Sequence, residues 1–251
     1  MKQQVIVNAP EKKTIIAGLG YGLISILGIS RIMALMSYGY PGDLGALAWM
    51  ELFYLTINAI ILLFIFGRHL AESWFEVTLD VKKFIRTILV TCGYILMYAV
   101  AVFMTDHLFP EVNVFNVIPI SESSSLIHGT LVLAEKPLLG VAAMTLLAPV
   151  TISCLFYGTV FAPLCSEHPV RAYIVMAIVL AVPHLYNILI KGWPEFEIIT
   201  YLLRLPIHLW ACRAYQKTDT VWAPIISLSI ANLVCSIVVA LLFHIGFLYV
   251  V

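Results

Sequence analysis

Charge is what this chain most lacks. Only 11% of its 251 residues are charged, whereas 62% are hydrophobic and the mean hydropathy is +1.00. Soluble domains average about a quarter charged residues, so this composition excludes an ordinary soluble domain and predicts an integral membrane protein. The formal net charge is zero, and no acidic or basic run is present. We therefore expect the lipid bilayer, and not nucleic acid, as a partner.

Motifs for metals, redox chemistry and nucleotides are also missing. The five cysteines form no C-x-x-C pair and lie in or beside apolar segments, which is typical of small packing residues. No H-E-x-x-H occurs, and His184 and His208 fall on different predicted helices, so we expect no metal site and no cofactor. The glycines of "GLGYG", residues 18–22, have G-x-x-x-G spacing in an apolar setting with no preceding strand. This pattern predicts close helix packing and no phosphate binding.

Long apolar segments dominate the chain. A spanning helix needs about 20 mostly apolar residues. Seven segments qualify, and the last is long enough to leave an eighth crossing open. The sequence therefore predicts an all-α polytopic transmembrane helix bundle, with spans at about 14–37, 44–67, 84–105, 138–164, 171–190, 196–213 and 221–250.

The basic residues between these segments predict the orientation. With the N-terminus inside, only Lys136 and Lys191 fall outside. An excess of Lys and Arg marks the cytoplasmic side, so we expect a cytoplasmic N-terminus and an external C-terminus. The basic residues on the predicted inner side are Lys2, Lys12, Lys13, Arg68, Lys82, Lys83, Arg86, Arg171, Arg213 and Lys217.

Two connections between the spans differ from short loops. Residues 68–83 are charged and amphipathic, and we expect them to lie along the inner interface. Residues 106–135 form a long outer loop with a serine cluster. This loop separates an N-terminal three-helix membrane segment, 1–135, from a helical core, 136–251, within one integrated membrane domain.

The most informative motif is "LAPVTISCLFYG", which begins at Leu147. It resembles the first signature of the CPBP family of CAAX prenyl endopeptidases, bacteriocin-processing proteins and Abi-like immunity proteins, which reads A-P-x-x-E-E-x-x-F-R-G. Ile152 and Ser153 stand at the two glutamates, and Tyr157 stands at the arginine. "LAVPH" is similar to the second motif, F-x-x-x-H, and keeps His184. "WAPIISLSIANL" is similar to a later one that ends in H-x-x-x-N; the matching positions are Leu228 and Asn232.

The resemblance implies a CPBP-like helical core in which a glutamate activates water and histidines assist peptide hydrolysis. A general base must reach the water by a hydrogen bond, which Ile152 cannot do. Tyr157 has no fixed positive charge, and Leu228 donates no hydrogen bond. A charge at mid-membrane costs about 2.5–3.5 kcal/mol on insertion scales, so apolar replacements are favoured once the reaction is not needed. We therefore expect a degenerate site and no protease activity, with Ile152, Ser153, Tyr157, His184, Leu228 and Asn232 as its positions.

Other polar residues leave alternatives open. Ser153 or Cys154 could act as a nucleophile with His184 as base. Ionisable groups also lie within predicted spans, which makes them functional hypotheses. Arg204 and His208 are four residues apart and share one helix face, with Pro206 between them. The ionisable cluster could be structural ion pairs, with Glu51 neutralising an arginine, or a ligand cavity; its members are Arg31, Glu51, Arg204 and His208.

The leading functional hypothesis is a catalytically inactive CPBP-like protein of a bacterial cell membrane. It would bind another membrane protein or a peptide through the cavity of the old site, as a scaffold, accessory subunit or immunity factor. The immunity option comes from the resemblance. One alternative is an active CAAX-type endopeptidase with unconventional residues, and another is a small-molecule or ion carrier that uses the polar cluster.

Overall fold

The computed structural model describes residues 8–25, 44–108, 137–191 and 194–244. Within these ranges the chain forms helices and no strand, which confirms the predicted all-α fold. The helices are α1 (Lys12–Ile24), α2 (Leu44–Leu79), α3 (Val81–Leu108), α4 (Pro137–Ala142), α5 (Ala148–Ile152), α6 (Ala162–Glu167), α7 (Pro169–Lys191), α8 (Pro194–Thr218) and α9 (Trp222–His244). Two π-helical segments, π1 (Ala143–Leu147) and π2 (Ser153–Phe161), join α4, α5 and α6 into one continuous run.

Three helices in the described ranges are long and apolar enough to cross a membrane. They are Leu52–Leu79, Val81–Ala101 and Thr145–Glu167, and Pro169–Leu185 and Trp222–Ile237 are shorter apolar helices. These helices agree with a transmembrane bundle, whereas the count of seven spans stays a prediction.

The continuous run from α4 to α6 is the central helix. In its apolar window 78% of the residues are buried, against 33% in the corresponding windows of α2 and α3. The helices α1, α2, α7, α8 and α9 all contact it. One core cluster takes residues from both predicted parts of the chain, including Phe66 and Ile95 from the first part and Phe161 and Tyr215 from the second. This shared core agrees with one integrated domain; the boundary between the two parts stays a prediction.

The segment 68–83 does not form a separate interfacial helix. α2 continues through it to Leu79, and α3 begins at Val81. With 36 residues, α2 is about 54 Å long at 1.5 Å per residue, which exceeds the roughly 30 Å hydrocarbon core. Its inward face is covered by protein, because the Trp222 indole donates to the Leu70 carbonyl and the Thr220 hydroxyl to the Ser73 carbonyl. The amphipathic pattern therefore reflects burial against the α8–α9 connection.

Candidate functional site

Prolines shape the central helix at the first motif. A proline has no N–H for the carbonyl four residues before it. Pro149 follows π1, and Pro163 follows π2. π-helical turns often mark functional sites. Here π2 covers the motif positions from Ser153 to Gly158, and all of these residues are buried.

The two positions of the family glutamates lie in the protein interior. Ile152 is 2% exposed and belongs to the core cluster that also contains Leu180 and Leu228. Ser153 is fully buried, and its hydroxyl has no hydrogen-bond partner among the described residues. Cys154 is also fully buried. A nucleophile needs a base within hydrogen-bond reach, and the described side chains supply none to Ser153.

Tyr157, at the arginine position, pairs with His208. Its hydroxyl lies 2.7 Å from His208 Nδ1, and the two side chains are 0% and 3% exposed. Arg204 is one turn earlier on α8, on the same face as His208 as predicted, and is 6% exposed. The structure thus joins a motif position to a residue that the sequence placed in a separate polar cluster.

His184 lies at the edge of this site. It is only half-buried, and its ring faces that of Tyr201 on α8 with 5.8 Å between centroids. Tyr201 in turn donates to the Ala177 carbonyl at 2.8 Å, which ties α8 to α7. Arg204 and His184 both act electrostatically on His208. The side chains at positions 184, 201, 204 and 208 therefore form the polar side of the site.

The apolar side of the site is packed. Leu228, at the position of a family histidine, is fully buried, and Asn232, one turn along α9, is 4% exposed. Together with Ile152 and Tyr157, these side chains fill the interior of the bundle. Bulky side chains thus occupy several of the positions that would line a cavity at the old site, and binding through such a cavity stays a prediction.

Two residues of the predicted polar cluster cannot be placed. Arg31 and the side chain of Glu51 lie outside the described residues. Neutralisation of an arginine by Glu51, and a carrier that uses this cluster, stay predictions. Among the residues that are described, no group of three His, Cys, Asp or Glu side chains is arranged to hold a metal ion.

Sequence reasoning missed a buried polar network between α1 and α2. Asn58 is fully buried, and its side-chain oxygen accepts from the Tyr21 and Ser25 hydroxyls at 2.8 Å and 2.6 Å. Its amide donates to the Tyr54 carbonyl at 2.7 Å. An asparagine in the middle of an apolar span was the available signal, because a polar group in a membrane needs a partner.

A second missed network lies at the far end of α2. His69 Nε2 is 3.3 Å from the Tyr215 hydroxyl and 3.4 Å from the Ser73 hydroxyl. Tyr215 donates to the Asn8 carbonyl at 2.7 Å. The network joins the N-terminal segment to α2 and α8, which indicates a structural role. The i, i+4 spacing of His69 and Ser73 was the only sequence signal.

The glycine motif packs within the chain. A Cβ atom at Gly18 would lie 2.9 Å from Phe66 Cζ and closer still to the Thr159 methyl, and one at Gly22 would lie 3.3 Å from Leu155. The prediction of close helix packing is confirmed, with α1 lying against π2.

Residues 134–234 match the family described as "Type II CAAX prenyl endopeptidase Rce1-like". No curated protein and no solved structure matches the chain. The matched segment contains all three motifs quoted above and the whole of α8. The resemblance to the CPBP family is therefore confirmed over residues 134–234, and the chain is an integral membrane protein in which this segment is similar to the Rce1-like family.

Proposed function

We propose that the chain is a catalytically inactive CPBP-type protein that binds another membrane protein or a peptide. The main support is the packed site. Buried Ile152 and Ser153 occupy the two glutamate positions in place of a carboxylate base, and the Tyr157 side chain fills the arginine position with its hydroxyl hydrogen-bonded to His208. Peptide hydrolysis needs water beside a general base. The site instead presents buried side chains around the hydrogen bond between Tyr157 and His208.

The unconventional protease is less well supported. Ser153 would need His184 as base, but its hydroxyl makes no hydrogen bond to any described group, and His184 faces Tyr201. Cys154 is fully buried, and a buried thiol in apolar surroundings is ordinarily inert.

The partner would contact the edge of the site, because the interior is filled. Of the six positions of the degenerate site, His184 is the most accessible, and it lies where α7 packs on α8. Beside it, Leu185 on α7 and Leu202 on α8 are 57% and 56% exposed. A membrane helix or peptide that approached here would meet apolar side chains next to one polar ring.

Hydrolysis is tested with the full chain in lipid vesicles and a peptide that ends in a prenylated C-a-a-X sequence. We expect no cleavage above that in protein-free vesicles. Ser153→Ala and His184→Ala serve as matched variants, each checked for an unchanged melting temperature. Cleavage by the wild-type chain would refute inactivity, and its loss in either variant would identify the unconventional protease.

Binding is tested by photo-crosslinking in cells. A crosslinking residue replaces Leu185 or Leu202, and a control replaces Phe64 on α2, which is 86% exposed. We expect the same protein or peptide to be captured from both test positions and not from position 64, and to copurify when tagged itself. Equal capture at all three positions, or none at the two test positions, would contradict a partner at this edge.

A further inference from the structure

A basic cavity lies at the end of the bundle where α2 turns into α3 and α8 turns into α9. Its volume is about 660 Å³. Lys82, Lys83 and Arg86 line it from the first turns of α3, and Lys217 lines it from the last turn of α8. The helices α3 and α8, which are distant in sequence, thus both place cations in the lining of this cavity.

These cations form no close ion pair with the part of the protein that the structure describes, although the Asp219 carboxylate interacts electrostatically with Lys83. Among the described residues none of the four forms an ion pair, whereas Arg68 nearby along the chain pairs with both Glu11 and Glu72. Of the residues that the structure describes, Asp80 is the one carboxylate in the lining. One of its oxygens, Oδ1, accepts the Lys83 backbone N–H at 2.9 Å at the start of α3. The described lining therefore carries four positive charges and one negative charge, and Asp219 acts on Lys83 from outside the lining. The excess of positive charge in the lining attracts an anion.

The remaining walls suit an amphipathic ligand. Thr87 and Val90 extend the lining further along α3, away from the connection. Leu79 and Val81, on either side of Asp80, are 64% and 48% exposed. An anion that carries acyl chains could therefore place its charge among the cations while its chains lie along α3.

We propose that this cavity binds the phosphate group of an anionic membrane lipid. Basic pockets between transmembrane helices are suited to such headgroups, and each nearby Lys or Arg strengthens the attraction. All four cations belong to the set whose positions predict the cytoplasmic side. Inorganic phosphate shares the same chemistry, so the experiment must separate a lipid from a free anion.

The test uses the full chain in nanodiscs of phosphatidylcholine that contain a trace of spin-labelled phosphatidylglycerol or spin-labelled phosphatidylcholine. Electron paramagnetic resonance gives the motionally restricted fraction of each label. We expect the phosphatidylglycerol label to be preferred severalfold. The double variant Arg86→Gln, Lys217→Gln should lose this preference entirely, because each cation near the membrane surface contributes about fivefold in affinity for an anionic lipid.

The matched control is Lys12→Gln, Arg171→Gln, which removes the same charge from two exposed residues outside the cavity. It should keep most of the preference. Each variant is first shown to melt at the same temperature as the wild type. The single change Lys217→Glu provides a second cavity variant, which should also lower the preference. Equal losses in the cavity and control variants would show diffuse surface charge and refute the site. If the labels show no lipid preference, but millimolar inorganic phosphate raises the melting temperature of the wild type and not of the cavity variant, the site binds a free anion and the lipid is refuted.

Discussion

Removal of the Tyr157 hydroxyl tests whether the site is a packed structural element. In Tyr157→Phe the ring still fills its space, but His208 Nδ1 loses a partner at 2.7 Å in an environment where His208 is 3% exposed. When a buried polar group loses a hydrogen-bond partner, the free energy of unfolding falls by about 1–3 kcal/mol. For a chain of this size, each kcal/mol corresponds to roughly 2–4 °C in melting temperature.

The measurement is thermal unfolding of purified protein in one detergent, with Tyr173→Phe as the control. The Tyr173 hydroxyl donates to Gln216 at 3.0 Å in a partly exposed position. Because water can replace this hydrogen bond, Tyr173→Phe should lower the free energy of unfolding by only about 0.5 kcal/mol. Replacing both members of the buried pair, as in Tyr157→Phe, His208→Phe, should recover part of the loss, because both polar atoms of this hydrogen bond are then removed together. A Tyr157→Phe variant as stable as wild type, with no coupling to position 208, would refute the reasoning.

Three further predictions concern other parts of the molecule. Gly18→Ala should lower the melting temperature, because the new methyl meets Phe66 and Thr159 and overpacking costs about 1–3 kcal/mol; Gly20→Ala, with open space around it, should be neutral or stabilising, and the reverse order would contradict the packing. Burial raises the pKa of Asp219 above its usual value of 3.8 although Lys83 opposes this shift, so its contribution to stability should improve as the pH falls towards that value. Asp219→Asn should stabilise the protein at neutral pH and remove this dependence, since Asn tolerates the positive φ of 57°; a pH profile of melting that is the same in both proteins would refute it. Leu79→Cys, in a chain without its native cysteines, should react with an impermeant thiol reagent only from the cytoplasmic side, and labelling from outside would reverse the predicted topology.

The sequence by itself determined the fold class and the family resemblance of residues 134–234. High hydropathy and long apolar segments require helices, because backbone polar groups in lipid must be satisfied within a segment. The spacing of "LAPVTISCLFYG", "LAVPH" and "WAPIISLSIANL" was enough to predict the CPBP resemblance, which the match over residues 134–234 confirmed. The residue types at the glutamate positions also led to the hypothesis of an inactive protease, because isoleucine and serine do not supply the carboxylate that would act as general base.

Only the tertiary structure decided which polar residues meet. Tyr157 and His208 are 51 residues apart along the chain, and no local period relates them; their contact depends on how α8 packs on the π-helical turn that contains Tyr157. The same holds for the basic cavity, where Lys217 joins residues of α3 through helix packing. Amphipathicity predicted that residues 68–83 bury one face, but it could not distinguish a lipid surface from the protein surface of the α8–α9 connection. Local pattern is set by one helix, whereas partners across the bundle are set by the packing of several.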